Sequence, residues 1–254
     1  MPDPPDAVRM NAFKTADFYE VLGNTGGRLE REGPFLLEAL ASAPSRRVAD
    51  LACGLGLHAR FLAEQGALVD AFDLSPEMIE HARTQRAHPN ITYAVGDMCA
   101  PCSGPYGLAV CLGNSLCLLN SPQDMAHFFA GAYKVLMPGG LLVTQTLNYD
   151  APQMAKPRMR VERAAFAGGE LAAVKRFLPG QGRTRLSIDY LLVSGSGMSE
   201  SAESFVLQHW DITQFSRWAR ETGFEITGHF GGYDKSDFRS DSPDIVLVMR
   251  KSEN

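Results

Sequence analysis

Two short apolar runs, each ending in a carboxylate, lie close together in the first third of the chain. The first ends at Asp50 and the second at Asp73, and each is followed by residues that can open a helix. Such a repeat is typical of two successive βα units in a parallel sheet, which bind a nucleotide-like ligand across the carboxyl ends of their strands. Gly54 and Gly56 lack a Cβ, so the first loop can turn tightly and admit a ligand against its backbone. Asp73 lies where a carboxylate can accept hydrogen bonds from two ribose hydroxyls.

A dinucleotide and S-adenosylmethionine (SAM) both suit such a pair of units, and the loop residues distinguish between them. The dinucleotide fingerprint G-x-G-x-x-G requires a third glycine, because a phosphate pair must reach the helix N-terminus, and this chain has Ala59 there. The Asp50 carboxylate would also repel a pyrophosphate. SAM carries an ammonium group beside a sulfonium and therefore fits the loop better. A nicotinamide-dependent oxidoreductase remains the alternative from another class of enzyme.

The run D-x-A-C-G-x-G that begins at Asp50 resembles motif I of the class I SAM-dependent methyltransferases. Ala52 stands at the usual first glycine of that motif, and Cys53 follows it. The resemblance implies an α/β fold with a doubly wound, seven-stranded, mostly parallel sheet of Rossmann-like type, in which six strands are parallel and the seventh is antiparallel. It also implies SAM as the cofactor.

The spacing of apolar residues independently predicts an α/β core. Strands are predicted at 47–51, 68–72, 91–95, 108–112 and 141–147, and helices at 57–65, 76–86 and 123–136. A helical stretch at 11–40, broken at 23–27, precedes them. Ser75 and Pro76 are a typical N-cap and first residue for the helix at 76–86. The Pro-Gly-Gly run at 138–140 is expected to end the helix at 123–136. Because helices and strands alternate, we expect right-handed crossovers.

After Asp150 the pattern changes to strands alone, predicted at 161–166, 171–177, 184–193 and 204–210. Short turns and the polar run 194–201 separate them, which indicates an antiparallel meander. A helix from Asp211 to Thr222, ended by Gly223, and strands at 224–230 and 245–249 complete the chain. We therefore expect a single domain, 1–254, with a helical cap (1–45), a SAM-binding core (46–150), an antiparallel β insertion after strand five over the substrate pocket (151–207) and a C-terminal completion of the core sheet (208–254).

Composition limits the classes of partner. The chain has 24 Lys plus Arg against 29 Asp plus Glu, a net charge of −5, which disfavours a nucleic-acid substrate because such binding depends on a basic field. We expect no membrane span, since no apolar run is long enough, and a cytoplasmic location, since the start lacks signal-peptide features. Cys99 and Cys102 lie in a loop rich in Pro and Gly, so the five cysteines predict reduced thiols and no metal site.

A second resemblance is more specific. The run C-L-G-N-S at 111–115 is similar to the corresponding segment of glycine and sarcosine N-methyltransferases, as are the segments at 147–150, 188–190, 205–207 and 232–234. Gly23-Asn24-Thr25 followed by Arg28 resembles the segment whose arginine binds the SAM carboxylate. The resemblance implies a small-molecule amine as substrate, and association into a homo-oligomer through the N-terminal segment.

The family's substrate residues carry over unevenly. Asn114 and Tyr190 match residues near the reacting amine, whereas Leu147 replaces the arginine that clamps the carboxylate of glycine. A buried carboxylate without that partner would cost several kcal/mol. We therefore do not expect glycine as the substrate, unless Arg158 or Arg160 substitutes from the insertion.

Methyl transfer from SAM requires little more than in-line placement of the attacking atom. An amine needs only to be neutral when it attacks, while a hydroxyl or carbon acid needs a base. The expected SAM-binding positions are Arg28, Asp50, Ala52, Cys53, Gly54, Gly56, Asp73, Leu74, Met78, Gly96, Asp97, Met98, Leu112, Gly113 and Asn114. Among them, Asp97 could accept from the adenine amino group while Met98 packs on the ring. The expected catalytic residues are Asn114, Tyr190 and His209, and the expected substrate pocket is Leu147, Tyr149, Tyr190 and Trp210. His58 is expected to be structural or a neighbour of SAM.

The expected function is thus SAM-dependent N-methylation of a small molecule. O- or C-methylation remains an alternative within the same class of enzyme. A catalytically inactive SAM-binding protein is a further alternative, because the clamping arginine is missing.

Overall fold

A computed structural model of the chain describes residues 15–23, 27–101, 103–195 and 197–253. The α-helices are α1 Thr15–Gly23, α2 Arg28–Ser42, α3 Leu57–Glu64, α4 Pro76–Gln85, α5 Pro122–Val135 and α6 Ile212–Thr222. The strands are β1 Arg47–Leu51, β2 Leu68–Asp73, β3 Ile91–Val95, β4 Tyr106–Cys111, β5 Leu136–Leu147, β6 Arg158–Phe166, β7 Gly169–Gly180, β8 Arg183–Ser194, β9 Gly197–Gln208, β10 Phe224–Phe230 and β11 Asp244–Lys251.

Seven strands form the core sheet, in the order β10-β11-β5-β4-β1-β2-β3. All are parallel except β11, which runs antiparallel to both of its neighbours. Every residue of β4 is buried, as expected for a strand covered by helices on both faces. The predicted fold class is confirmed. The strand order reverses beside β1, so the carboxyl ends of β1, β2 and β4 surround the crevice where such sheets bind ligands.

The remaining four strands form an antiparallel sheet in the order β6-β7-β8-β9, which is the insertion predicted after the fifth strand. One face of this sheet packs against α1, where Phe18 and Leu22 meet Leu171, Ile188 and Tyr190. The N-terminal helix and the insertion therefore share a small core of their own. Both elements lie over one end of the crevice.

The predicted start of β5 at 141 was wrong, whereas the helix before it ends within one residue of its predicted end. The helix α5 stops at Val135, and the Pro-Gly-Gly run lies inside β5, which begins at Leu136. The pairing of β4 with β5 shifts register between Tyr106 and Leu108, and Gly139 takes a φ of +73°. A bulge thus accommodates a proline and two glycines that would otherwise interrupt a strand.

The predicted extent of the last strand of the insertion was also wrong. The polar run expected as a connection is mostly strand, because β9 begins at Gly197 and pairs with β8 along its whole length, from the Ser194–Gly197 pair to the Arg183–Gln208 pair. A polar sequence is tolerated there because β9 is an edge strand. The strand ends at Gln208, so His209 and Trp210 follow it rather than belong to it.

The four cysteines in the described part of the chain are free thiols, whereas Cys102 lies outside the described residues. Within the same part, no helix is both long and apolar enough to cross a membrane.

Candidate functional site

A cavity of about 690 Å³ lies at the carboxyl ends of β1, β2 and β4. Its floor is the loop after β1 together with the ends of β2 and β4, and its roof includes Tyr19 and Glu20 from α1 and Glu203 and Phe205 from β9. A cavity of this size is within the range that binds cofactors and small molecules.

Most of the predicted SAM-binding positions line this cavity, namely Arg28, Asp50, Ala52, Cys53, Gly54, Asp73, Leu74, Met78, Leu112 and Gly113. The other predicted SAM-binding positions, Gly56, Gly96, Asp97, Met98 and Asn114, do not line it. Asn24 and Thr25, from the segment that precedes Arg28, lie outside the described residues.

The Asp73 carboxylate connects the two βα loops. Its Oδ2 accepts a hydrogen bond from Gly54 N at 2.8 Å, and its Oδ1 accepts one from Ser75 N at 2.9 Å. Each carboxylate oxygen has a second lone pair and can accept another hydrogen bond, which is what a ribose diol requires. A Cβ built on Gly54 would meet no atom within 4 Å, so the loop leaves open space on the cavity side.

Ala52 and Gly56 hold the shape of this loop in different ways. Ala52 takes a φ of +61°, a left-handed conformation that glycine adopts more easily, at the position where the resembled motif has glycine. Gly56 has a φ of +78°, and a Cβ there would lie 2.6 Å from the hydroxyl oxygen of Tyr93. Gly56 is therefore required for packing against Tyr93, and it lies below the cavity wall rather than in it.

The Asp50 carboxylate is 1% exposed at the end of β1, and its Oδ2 is buried without a hydrogen-bond partner among the described residues. Burial raises the pKa of Asp50 to about 6, and the nearby charge of Asp73 adds to the rise, while His58 and the N–H of Ala59 oppose it. A cation in the cavity would stabilise the ionised form of this buried carboxylate. The ammonium group of SAM is such a cation, so the residues present fit the cofactor.

Arg28 is held at the same end of the cavity by a buried network. Its Nε donates to Glu32 Oε1 at 3.0 Å, and the other oxygen of Glu32 lies 2.5 Å from His58 Nε2. Burial alone would raise the pKa of Glu32, but the hydrogen bond from His58 and the charge of Arg28 lower it below its usual value. A Cβ on Gly113 would come within 2.8 Å of Arg28 Nη2, so a glycine there makes room for the guanidinium. Glu32 escaped the sequence analysis, although its spacing from Arg28 is that of an i,i+4 ion pair.

The predicted adenine residues make contacts of their own beside the cavity. Asp97 Oδ1 accepts from Cys99 N at 2.8 Å, and a Cβ on Gly96 would lie 3.1 Å from Phe72. The sulfur of Met98 lies 3.9 Å from that of Cys111. Their contact with adenine stays a prediction.

The structure brings several predicted catalytic and pocket residues together in a second group. Asn114 Nδ2 donates to Tyr149 Oη at 2.9 Å, and Asn114 Oδ1 accepts from Leu147 N at 2.9 Å. The His209 ring stacks on that of Tyr149 with 4.5 Å between centroids, and its Nε2 lies 2.9 Å from Thr184 Oγ1. Burial lowers the pKa of His209, so the imidazole is neutral near pH 7.

Three further residues named in the sequence analysis have their own surroundings, namely Trp210, Arg158 and Tyr190. The Trp210 indole packs edge-on against Trp218, and its Nε1 is buried without a hydrogen-bond partner among the described residues. The Arg158 guanidinium lies over the ring of Phe177 and near Tyr149. Tyr190 lies instead in the core shared by α1 and the insertion, where its hydroxyl donates to Glu203.

Glu203 and Tyr19 were both missed by the sequence analysis. They come from β9 and α1, elements far apart in the sequence, and they meet Tyr190 in the cavity roof. The period-two alternation of β9 continues toward the N-terminus through Glu203, but the predicted strand began only at 204.

Comparison with known proteins decides the family. Residues 48–140 match the methyltransferase domain family. The glycine/sarcosine N-methyltransferase of Aphanothece halophytica is 30% identical over 241 residues, which cover 92% of this chain and 87% of that protein. The chain belongs to the glycine/sarcosine N-methyltransferase family of class I SAM-dependent methyltransferases.

Solved structures of methyltransferases share the fold. A SAM-dependent methyltransferase from Clostridium acetobutylicum has a TM-score of 0.80 at 15% identity, covering 94% of this chain and 98% of that one. The sugar N-methyltransferase KedS8 from Streptoalloteichus has a TM-score of 0.77 at 19% identity, covering 100% of this chain and 99% of that one. This methyltransferase is therefore an enzyme that uses SAM as its cofactor.

Proposed function

We propose that this methyltransferase transfers the methyl group of SAM to the nitrogen of a small-molecule amine other than glycine. The observation that carries the proposal is the charge of the cavity. Arg86 pairs with Glu20, and Arg28 pairs through its Nε with Glu32, so the charge of each of these arginines is balanced by an acid of the protein. The carboxylates of Asp50, Asp73 and Glu203 remain along the cavity wall, and they complement a cationic cofactor and a cationic amine.

The residues along the wall have separate roles in this proposal. Arg28 binds the carboxylate of SAM, Asp50 binds its ammonium group, and Asp73 accepts from its ribose hydroxyls. Leu74 and Met78 supply apolar contact at the same end. When bound, SAM supplies a methyl group on a positively charged sulfur. The chain itself provides orientation, which can lower the barrier by about 7 to 11 kcal/mol without an added acid or base.

The state of the histidines favours nitrogen over oxygen as the methyl acceptor. His58 lines the cavity, but its Nε2 is engaged by Glu32, and His209 is hydrogen-bonded to Thr184. A hydroxyl substrate needs a base in contact with it, whereas a neutral amine does not. The relatives named for glycine, sarcosine and sugar N-methylation agree with this choice.

The apolar Leu147 supports a substrate other than glycine. It precedes Asn148 and Tyr149, and its backbone N–H donates to Asn114 Oδ1. Because a leucine side chain is uncharged, it cannot pair with the carboxylate of glycine. Arg158 lies near Tyr149 and is the residue that could supply one, yet its guanidinium contacts Met154 and Phe177.

The experiment is transfer from SAM labelled on its methyl carbon to a panel of amines, phenols, alcohols and amino acids, with the labelled atom located by mass spectrometry and NMR. The proposal predicts label on the nitrogen of amines. Label on oxygen or carbon would establish O- or C-methylation instead. Tight SAM binding with no transfer to any compound would favour the inactive SAM-binding protein.

A further inference from the structure

Glu203 is a carboxylate in the cavity roof with an unusual set of partners. Its Oε1 accepts a hydrogen bond from Tyr190 Oη at 2.5 Å across the β8–β9 pair, and Tyr19 on α1 lines the same cavity, close enough for Glu203 to raise the pKa of its hydroxyl. Tyr190 pairs with Ser201, so Glu203 is its diagonal neighbour on the same face of the sheet. The side chains of α1, β8 and β9 thus converge on one carboxylate.

The two tyrosines keep their protons. Burial is the largest cause that raises the pKa of each hydroxyl above its usual value, and Glu203 raises both further. Protonated hydroxyls donate, so each can give a hydrogen bond to the Glu203 carboxylate. Tyr190 also packs against Phe18, with 5.2 Å between ring centroids, which fixes the ring and its hydroxyl.

Glu203 differs from the other acids of the cavity in that a side-chain hydroxyl donates to it. Glu20 is bound by Arg86, Asp73 by two backbone N–H groups, and Glu77 by the N–H of Ala16. Within the described part of the chain, no lysine, arginine or histidine forms an ion pair with Glu203. A carboxylate with neutral donors on one side and a cavity on the other can take a cation from that cavity.

We infer that Glu203 binds the ammonium form of the substrate and selects for it, with Tyr19 and Tyr190 as its positioning residues. Before transfer the bound ammonium releases one proton to water, which frees the nitrogen lone pair to attack the methyl carbon as the bond from that carbon to the sulfur of SAM breaks. The inference rests on the proposed function and narrows its substrate to amines whose binding depends on their positive charge. Phe205 and Leu118 line the same cavity and offer apolar contact to the carbon skeleton beside the amine. With Leu147 in place of an arginine, the residues favour a cationic amine without a carboxylate beside the nitrogen.

The test compares amines with neutral compounds of the same shape. The probes are cyclohexylamine with cyclohexanol, benzylamine with benzyl alcohol, and glucosamine with glucose. Each is titrated calorimetrically into the enzyme saturated with S-adenosylhomocysteine, and KM and kcat are measured for each amine with SAM. We expect at least one amine to bind ten-fold or more tightly than its neutral partner, and Glu203→Gln to weaken that amine about 10- to 150-fold, mainly through KM.

Two variants complete the design. Glu203→Asp keeps the charge and should recover part of the affinity for the amine. Glu200→Gln removes the same charge from an exposed position on the same strand, and it should leave the affinity unchanged. Thermal unfolding of each variant shows that the fold is intact, and the affinity for SAM shows whether the cofactor end is intact.

Failure of the inference and failure of the proposed function give different results. Amines that are methylated with the same KM by wild type and Glu203→Gln would overturn the role of Glu203 and leave N-methylation standing. A panel in which no amine is preferred over its neutral partner would overturn the inference too. Label from SAM on hydroxyl oxygen would overturn both.

Discussion

At the residue scale, the carboxylates that end β1 and β2 differ in what holds them. Asp73 is tied by the N–H groups of Gly54 and Ser75, whereas Asp50 is buried with one oxygen unpartnered among the described residues. The two N–H groups fix the orientation of the Asp73 carboxylate, whereas the buried Asp50 carboxylate lacks a positive charge beside its unpartnered oxygen. We therefore propose that these two acids, at equivalent strand ends, contact different parts of one ligand.

In the proposed site, Asp73→Ala removes the hydrogen bonds that the carboxylate accepts from the ribose, which are worth roughly 1.5 to 3 kcal/mol. We expect the affinity for SAM to fall about 10- to 150-fold in a calorimetric titration. Asp73→Asn keeps one acceptor oxygen and should lose less. An unchanged affinity in Asp73→Ala would remove this residue from the cofactor site.

Asp50 makes the stability of the unbound enzyme depend on pH. Its pKa is about 6 in the folded state and 3.8 in an unfolded chain, so between these values the folded state holds a proton that the unfolded state has released. The contribution of Asp50 to stability is thus full below about pH 4 and is lost as the pH rises through 6.

We expect wild type to lose about 2 kcal/mol of unfolding free energy relative to Asp50→Asn between pH 4.5 and pH 8, measured by urea denaturation. SAM should oppose this loss in wild type, because its ammonium group pairs with the ionised acid. Parallel pH profiles for the two proteins would show that Asp50 titrates as it does in water.

At the element scale, α1 is held over the cavity by an arginine at the end of α4. Arg86 Nη1 and Nη2 donate to the two oxygens of Glu20 at 2.5 and 2.7 Å, and Nη1 also donates to Leu55 O at 3.0 Å in the glycine loop. One side chain therefore joins the roof to the loop beneath it. Bidentate arginine–carboxylate pairs of this kind fix geometry as well as charge.

Arg86→Ala should loosen α1, and hydrogen exchange of residues 15–23 should become at least several-fold faster while exchange in β4 stays unchanged. Arg217→Ala is the matched control, because Arg217 pairs with Glu221 on the exposed face of α6 and contacts no part of the roof. Equal exchange in α1 for wild type and Arg86→Ala would mean that packing alone holds the roof.

The elements also show which features could be predicted from the sequence. The last helix begins at a capping box of Asp211 and Gln214 and ends at Gly223 with a φ of +102°, and these local signals gave its bounds correctly. The extents of β5 and β9 depend on pairing with distant strands, and there the local signals misled. For the same reason the sequence predicted Gly54 and Asp73, which belong to local loop motifs, as site residues, but it did not predict Glu203, which also lines the cavity.

At the scale of the whole molecule, the walls of the cavity come from both sheets and from α1, which packs against the four-stranded sheet. The core sheet supplies the carboxylates of the floor, and α1 with β9 supplies the roof, so a ligand that fills the cavity contacts both parts. A ligand that binds only the folded state raises its stability by RT ln(1 + [L]/Kd), about 2.7 kcal/mol at 100 times Kd.

Thermal unfolding with SAM and with NAD at equal concentration tests most directly whether this carboxylate-lined cavity selects a cationic methyl donor. We predict that SAM raises the midpoint by several degrees, that the rise is much smaller in Asp73→Ala, and that NAD leaves the midpoint of wild type unchanged. Stabilisation by NAD, or none by SAM, would contradict the account.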